Sequence, residues 1–209
     1  MLNQATFWDK IARKYAAKPV DDEPAYEDTL ARTRAYLGAD DVVLELGCGT
    51  GTTALKLADA VGHITATDIS PEMIAIANEK LGADGPGQVE FRASGIEDAL
   101  RPDGGYDAVL AFNLLHLVED LPGAVRTIRG LLKPGGVFIS KSGAVAEAGW
   151  FLRRVMIPAM QLIGKAPYLN PLKTADFDRI IAGEGFDIVE THTYSGMAPT
   201  RFIVARVPE

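Results

Sequence analysis

Short runs of bulky apolar residues alternate with stretches of helical periodicity along most of the chain. Phe7, Trp8, Ile11 and Tyr15 recur at helical spacing and predict a helix over the first 17 residues. A turn at Pro19 follows. A second helix is predicted from Pro24 to Leu37, closed by Gly38. Val42 to Leu46 is apolar except for Glu45 and reads as a first buried strand. A glycine-rich turn then leads into a helix from Thr53 to Val61, ended by Gly62, and a second strand from Ile64 to Thr67. Ser70-Pro71-Glu72 is a strong helix start. Serine suits the N-cap, proline the first helical position and glutamate the first-turn dipole. That helix ends before Gly82. Val89 to Ala93 and Tyr106 to Phe112 read as the third and fourth strands. Leu121 to Leu132 is a helix stopped by Pro134-Gly135-Gly136, and Val137 to Ser140 is the fifth strand.

The end of the chain carries a helix from Ala175 to Ala182 and two strand-like runs, Phe186 to Tyr194 and Arg201 to Val207. The link between these runs is too short for a parallel crossover, so they should pair antiparallel. The alternation predicts an α/β fold: a doubly wound, seven-stranded, mainly parallel sheet with an antiparallel last strand, in one domain over residues 1–209. Ala144 to Leu172 breaks the rhythm, with prolines at 158, 167 and 171 among bulky apolar residues. It reads as an insertion over residues 144–172 that caps the sheet edge. Adjacent Arg153 and Arg154 beside Trp150 and Phe151 also fit a helix lying on a membrane surface. A dimer contact is the third reading. The cap is favoured.

Composition narrows the function. A length of 209 residues suits one domain with a full core. The net charge of -7, with no basic stripe, opposes a nucleic-acid partner and favours a small-molecule one. Cys48 is the single cysteine, so neither an intrachain disulfide nor a cysteine cluster for zinc is possible. No apolar run approaches the roughly 20 residues that span a bilayer. Met1-Leu2-Asn3-Gln4 lacks a signal-peptide pattern. A cytoplasmic protein is expected. The oligomeric state is not legible.

The chemistry concentrates in Glu45-Leu46-Gly47-Cys48-Gly49-Thr50-Gly51, between a strand and a helix. Glycines let backbone approach a ligand, and a helix N-terminus offers free N–H groups to an anion. The dinucleotide fingerprint G-x-G-x-x-G is not met, because position 52 is threonine. Glu45 places negative charge where a pyrophosphate would lie. It suits a ligand with a free amine and a sulfonium. Asp68, at the end of the second strand, is placed to take a ribose diol. S-adenosylmethionine has all three groups, and a carboxylate for the glycine loop.

With these motifs the chain resembles the class I S-adenosylmethionine-dependent methyltransferases, most of all the ubiquinone/menaquinone-biosynthesis branch. The resemblance runs from Phe7-Trp8-Asp9-Lys10-Ile11 to the last strand. It includes Ala66-Thr67-Asp68-Ile69-Ser70-Pro71-Glu72-Met73, Tyr106 to Asn113, Leu115 to Asp120 and Leu132-Lys133-Pro134-Gly135-Gly136. It implies that Gly47, Gly49 and Gly51 contact the cofactor's methionine part. Asp68 would hold the ribose, and Ile69 and Met73 would pack on adenine. Many relatives carry an aspartate after the third strand, where this chain has Ser94-Gly95-Ile96; Ser94 or a backbone carbonyl must substitute there. Tyr15, Glu45, Cys48 and Asn113 complete the expected cofactor set. Cys48 reads as small-residue packing rather than a nucleophile. Residues 1–38 form a helical lid in this reading, with Trp8 and Tyr15 closing over the cofactor. His116, after the fourth strand, is either the base acting on the acceptor or an ordinary loop histidine. His63 and His192 read as strand residues.

The expected activity is methyl transfer to a small, partly apolar acceptor, with no metal. Its site is expected between Asn113 to His116, the segment around Tyr15, and Trp150 to Ile163 of the insertion. The alternatives are a nicotinamide-dependent oxidoreductase and a non-catalytic S-adenosylmethionine-binding module. Peripheral membrane contact stays open.

Overall fold

Seven strands form one sheet in the order β3-β2-β1-β4-β5-β7-β6 in a computed structural model that describes residues 4–209. They are β1 (Val42–Leu46), β2 (His63–Asp68), β3 (Val89–Ala93), β4 (Tyr106–Phe112), β5 (Leu132–Gly143), β6 (Asp187–Tyr194) and β7 (Thr200–Arg206). β1 to β5 pair in parallel, and β7 runs antiparallel to both β5 and β6. The strand order reverses between β1 and β4, where an open α/β sheet leaves a crevice at the carboxyl ends of its strands.

Side chains alternate across the sheet and explain the helices on both faces. Val43, Ile64, Ala66, Ala108, Leu110, Val137 and Ile139 point to one face. There they meet Leu30 of α2 (Glu23–Arg34), Ala54 and Leu57 of α3 (Thr52–Leu57), and Ile74 and Ala77 of α4 (Pro71–Leu81). Leu44, Leu46, Val109, Ala111 and Phe138 point to the other face. Leu121, Val125 and Ile128 of α5 (Leu121–Leu131) and Phe177 and Ile181 of α7 (Thr174–Gly183) cover them. α1 (Gln4–Ala16) lies on α4, with Ala12 packed against Met73 and Ile76. Residues 1–3 of the expected first helix lie outside the described residues.

Most expected elements are present, and the differences have local causes. α2 stops at Arg34 rather than Leu37, because Tyr36 and Leu37 donate to Thr33 and Arg34, three residues back, and tighten the chain. The helix expected to reach Val61 gives way to a 3-10 turn over Ala58–Ala60. β5 begins at Leu132, before the glycine turn, since Leu132 already pairs with Tyr106 and the register then shifts so that Val137 meets Ala108. Ser70 caps α4 as expected, its hydroxyl accepting from the Met73 N–H at 3.1 Å.

The 144–172 insertion leaves the end of β5, a strand with neighbours on both sides. It contains a π-turn over Leu152–Met156 followed by α6 (Ile157–Leu162). The Ile157 N–H donates to the Leu152 carbonyl, five residues back. Pro158 lacks an N–H and its ring crowds the preceding turn, which accounts for the widening there. Trp150, Phe151, Leu162 and Ile163 are exposed. No helix among the described residues is long and apolar enough to cross a membrane.

Candidate functional site

The carboxyl ends of the strands open into a cavity of about 1240 Å³ that extends from β3, across β1, to the β6–β7 turn. Its floor is the glycine loop. Gly49 adopts the left-handed region, with φ of 54°. A Cβ added there would point into the cavity, 3.8 Å from the Tyr15 ring. Gly51 is also left-handed, but its missing Cβ faces inward, where it would lie 2.5 Å from Phe91 and 2.8 Å from Ala77. Gly51 does not line the cavity. It lets the loop settle against β3 and α4. Gly47 does line the cavity, and Leu114 blocks the space its Cβ would take.

Asp68 braces this loop. One carboxylate oxygen accepts from the Gly49 N–H and the other from the Ser70 N–H, both at 2.9 Å. Burial pushes its pKa up, and the two backbone donors oppose that shift. Ser94 continues the wall through its N–H, which donates to the Asp68 carbonyl. Ile69, Met73, Ser94, Gly95 and Ile96 all line this end. Met73 is nevertheless almost wholly buried, whereas Ile69 is half exposed.

Glu45 is the unusual group. The residue lines the cavity yet is only 2% exposed, and its Oε2 is buried without a hydrogen-bond partner. Burial, then the Asp68 charge, pushes its pKa up to about 8. Cys48 is buried and lines the same region, with its thiol pushed well up by burial. It is a buried, neutral thiol there.

Trp8 and Tyr15 of α1 reach over the loop in an edge-to-face pair at 6.0 Å. Burial and then Asp68 raise the Tyr15 pKa. Residues 18–22, between α1 and α2, continue this wall. Asn113, after β4, is the one non-glycine residue with positive φ among the described residues, at 55°. Its N–H donates to the Lys141 carbonyl at 2.7 Å, which holds the strained turn in place.

The matching family model, described as a methyltransferase domain, covers residues 43–136. The ubiquinone biosynthesis O-methyltransferase of Xanthomonas oryzae pv. oryzae (strain PXO99A) is 36% identical over 100 residues, 47% of this chain and 41% of that protein. Over residues 43–136 the chain is similar to the class I methyltransferases. It spans less than half the length of the curated relatives compared, from 3% to 48%. Phosphoethanolamine N-methyltransferase 2 of Haemonchus contortus, solved with phosphomonomethylethanolamine and S-adenosylhomocysteine, aligns with a TM-score of 0.80 at 16% identity. That alignment covers 100% of this chain and 61% of the other. The [4+2]-cyclase SpnF aligns at a TM-score of 0.71 and 22% identity, covering 87% of this chain and 79% of that one. Such likenesses establish the shared fold and leave the reaction to the site.

His116 does not line the cavity. Leu115–Leu117 forms a 3-10 turn, which sends successive side chains about 120° apart. Leu115 enters the core and Leu117 faces the cavity, while the His116 carbonyl accepts from the Asn170 N–H of the insertion. Burial lowers the imidazole pKa to about 4, and its Nδ1 has no partner. The imidazole thus lies outside the cavity lining, away from the expected acceptor site. No residue of the insertion, Trp150 included, lines the cavity either. The insertion turns toward the segment after β4, where Asn170 binds the His116 and Val118 carbonyls, and toward α7, where Thr174 binds Glu147.

The far wall is formed instead by groups the sequence reading missed. They are Tyr26 of α2, Lys141 of β5, and Tyr194 with the Ser195 to Ala198 turn. Lys141 carried a usable signal: a charge at the carboxyl end of the apolar run Val137 to Ser140. Tyr26 and Tyr194 carried none, because they come from segments far apart in sequence. Among the described residues no group of three or more His, Cys, Asp or Glu side chains is placed to hold a metal.

Proposed function

We propose that this chain binds S-adenosylmethionine over β1 to β3 and transfers its methyl group to a small, partly apolar acceptor over β4, β5 and β7. The observation that carries the reading is Glu45 Oε2, a buried carboxylate oxygen without a partner beside a glycine loop open to the cavity. A ligand that brings an ammonium and a sulfonium satisfies that oxygen, whereas a pyrophosphate would repel it. Gly47 and Gly49 give backbone approach to the methionine part. Asp68 retains lone pairs for the ribose hydroxyls beyond its two backbone donors. Ile69, Met73 and Ile96 supply apolar contact for the adenine, and Tyr15 covers the loop.

The bound sulfonium supplies an electrophilic methyl group. The chain's own part is to hold the acceptor in line with it and to exclude water, which by itself gives a large acceleration. Asn113, Leu114, Leu117 and Val118 line the cavity at the end of β4. They are the proposed border between cofactor and acceptor. The SpnF likeness makes a reaction other than methyl transfer the second reading. The two are separated by incubating the chain with labelled S-adenosylmethionine and a panel of small carboxylates, phenols and amines. Methyl transfer yields S-adenosylhomocysteine in step with methylated product. Binding without turnover across the panel would favour the second reading. Failure to bind S-adenosylhomocysteine, or equal affinity in Asp68→Ala, would sink the cofactor assignment.

A further inference from the structure

Lys141 lies on β5 opposite Phe112 of β4 and Phe202 of β7, so its backbone is fixed on both sides. Its side chain reaches the acceptor half of the cavity. There Nζ donates to the Thr29 hydroxyl at 2.9 Å and to the Ala25 carbonyl at 3.2 Å, and sits 4.1 Å from the centre of the Tyr194 ring. Among the described residues it forms no ion pair. The two nearest opposing charges are already engaged: Asp22 accepts from the Ala25 N–H, and Asp28 is shared by Arg32 and Tyr194. Other cavity cations are disposed differently. Lys18 pairs with Asp21 and Arg126 with Glu184. Lys80 is bound by the Thr50 and Thr52 hydroxyls at the glycine loop.

A half-buried ammonium without a counter-ion costs desolvation that a matching anion would offset. Burial accordingly pushes the Lys141 pKa down. Of its three N–H donors two are taken, and the third remains for a ligand. We propose that Lys141 binds a single carboxylate on the acceptor, with the apolar body of that acceptor against Tyr194 and Phe112. The inference rests on the methyl-transfer reading for the identity of the acceptor half. A carboxylate fits better than a phosphate. One lysine offers a point charge rather than an arginine fork, and Asp22 and Asp28 nearby disfavour a dianion. Lys141 is in this view a specificity residue: it selects acceptors that carry one negative charge and orients them from the side away from the cofactor.

The test titrates benzoate, its neutral analogue benzamide, and phenyl phosphate into the full chain, with and without saturating S-adenosylhomocysteine. Benzoate should bind about tenfold or more tighter than benzamide, the size expected for a charge-assisted hydrogen bond. Lys141→Met and Lys141→Gln should abolish that preference, the second while keeping a neutral donor toward Thr29. Lys141→Arg should keep it. S-adenosylhomocysteine affinity should be the same in all three variants, which also shows that each folds. Equal binding or no binding of benzoate and benzamide by the wild-type chain overturns the inference, as does a preference that survives in Lys141→Gln. Tighter binding of phenyl phosphate than of benzoate overturns the carboxylate assignment. Loss of S-adenosylhomocysteine binding in the wild-type chain is a different result. It strikes the methyl-transfer reading, while the titrations without it still judge the lysine.

Discussion

Gly49 and Gly51 share a left-handed backbone but face opposite ways, and that separates what substitution does at each. Alanine at either position costs about 1–2 kcal/mol of backbone strain. At Gly51 the new methyl also collides with Phe91 and Ala77, so Gly51→Ala should add about 1–3 kcal/mol of overpacking cost. At Gly49 it meets only cavity, so Gly49→Ala should lose ligand affinity out of proportion to stability. Thermal melts beside S-adenosylhomocysteine titrations check the pair; matching losses in both quantities would contradict the assignment. Glu45 makes a pH prediction. Its folded-state pKa is raised to about 8 from 4.5, so between those values the folded chain holds a proton that the unfolded chain has released. Stability then falls as pH rises, by about 1.4 kcal/mol per unit from this group. Asp68, also raised, adds in the same direction at the acid end. Glu45→Gln should flatten the slope between pH 5 and 8 in urea melts. A cationic ligand favours the carboxylate, so binding should release a proton near pH 7. Calorimetry in two buffers of different ionisation enthalpy detects it.

At the scale of elements, the 3-10 turn over Leu115–Leu117 decides which side chains enter the cavity, and it excludes His116. His116→Ala should therefore leave turnover and cofactor affinity nearly unchanged. A large fall in kcat would show that the imidazole reaches the acceptor by a movement of this turn. The insertion makes a parallel case. Replacing residues 149–165 by a short glycine-serine linker should spare S-adenosylhomocysteine binding, because none of them lines the cavity. In both places the cavity lining differs from the one the sequence suggested. The helical and strand periods of α4, α5, β1 and β4 were plain, since each buries one face or both against the sheet. The direction of a side chain in a three-residue turn, or of a proline-broken segment, depends on contacts with distant residues such as Asn170. No local pattern encodes those contacts.

For the whole molecule, the division of the cavity follows from strand order. The proposed cofactor half lies over strands whose loops carry recognisable motifs: Glu45 to Gly51, Asp68 to Met73, and Ser94 to Ile96. It was legible for that reason, apart from the inward direction of Gly51. The proposed acceptor half is assembled from α2, β5 and the β6–β7 turn, whose residues are brought together only by the antiparallel placement of β7. Ligand binding should stabilise the fold as one unit. At 100 times its dissociation constant, S-adenosylhomocysteine should add about 2.7 kcal/mol, or roughly 5–10 °C in Tm for a chain of this size. NAD at the same concentration should add nothing measurable. An equal shift with NAD would revive the oxidoreductase alternative.

α2 is joined to its surroundings largely through charge. Arg32 pairs with Glu190, Arg34 with Asp59 and Lys56 with Glu27, and Tyr194 binds Asp28. Leu30 is its one buried large apolar residue. The same helix presents Ala25 and Thr29 to Lys141, so the acceptor wall depends on contacts that dissolved ions weaken. The glycine loop, held by backbone N–H groups on Asp68, does not. Raising ionic strength from 0.1 to 1 M shortens the screening length from about 10 Å to about 3 Å. It should raise KM for the acceptor while leaving KM for the methyl donor nearly constant. This molecule would then bind its two substrates under separate environmental control, one sensitive to the salinity around it and the other indifferent.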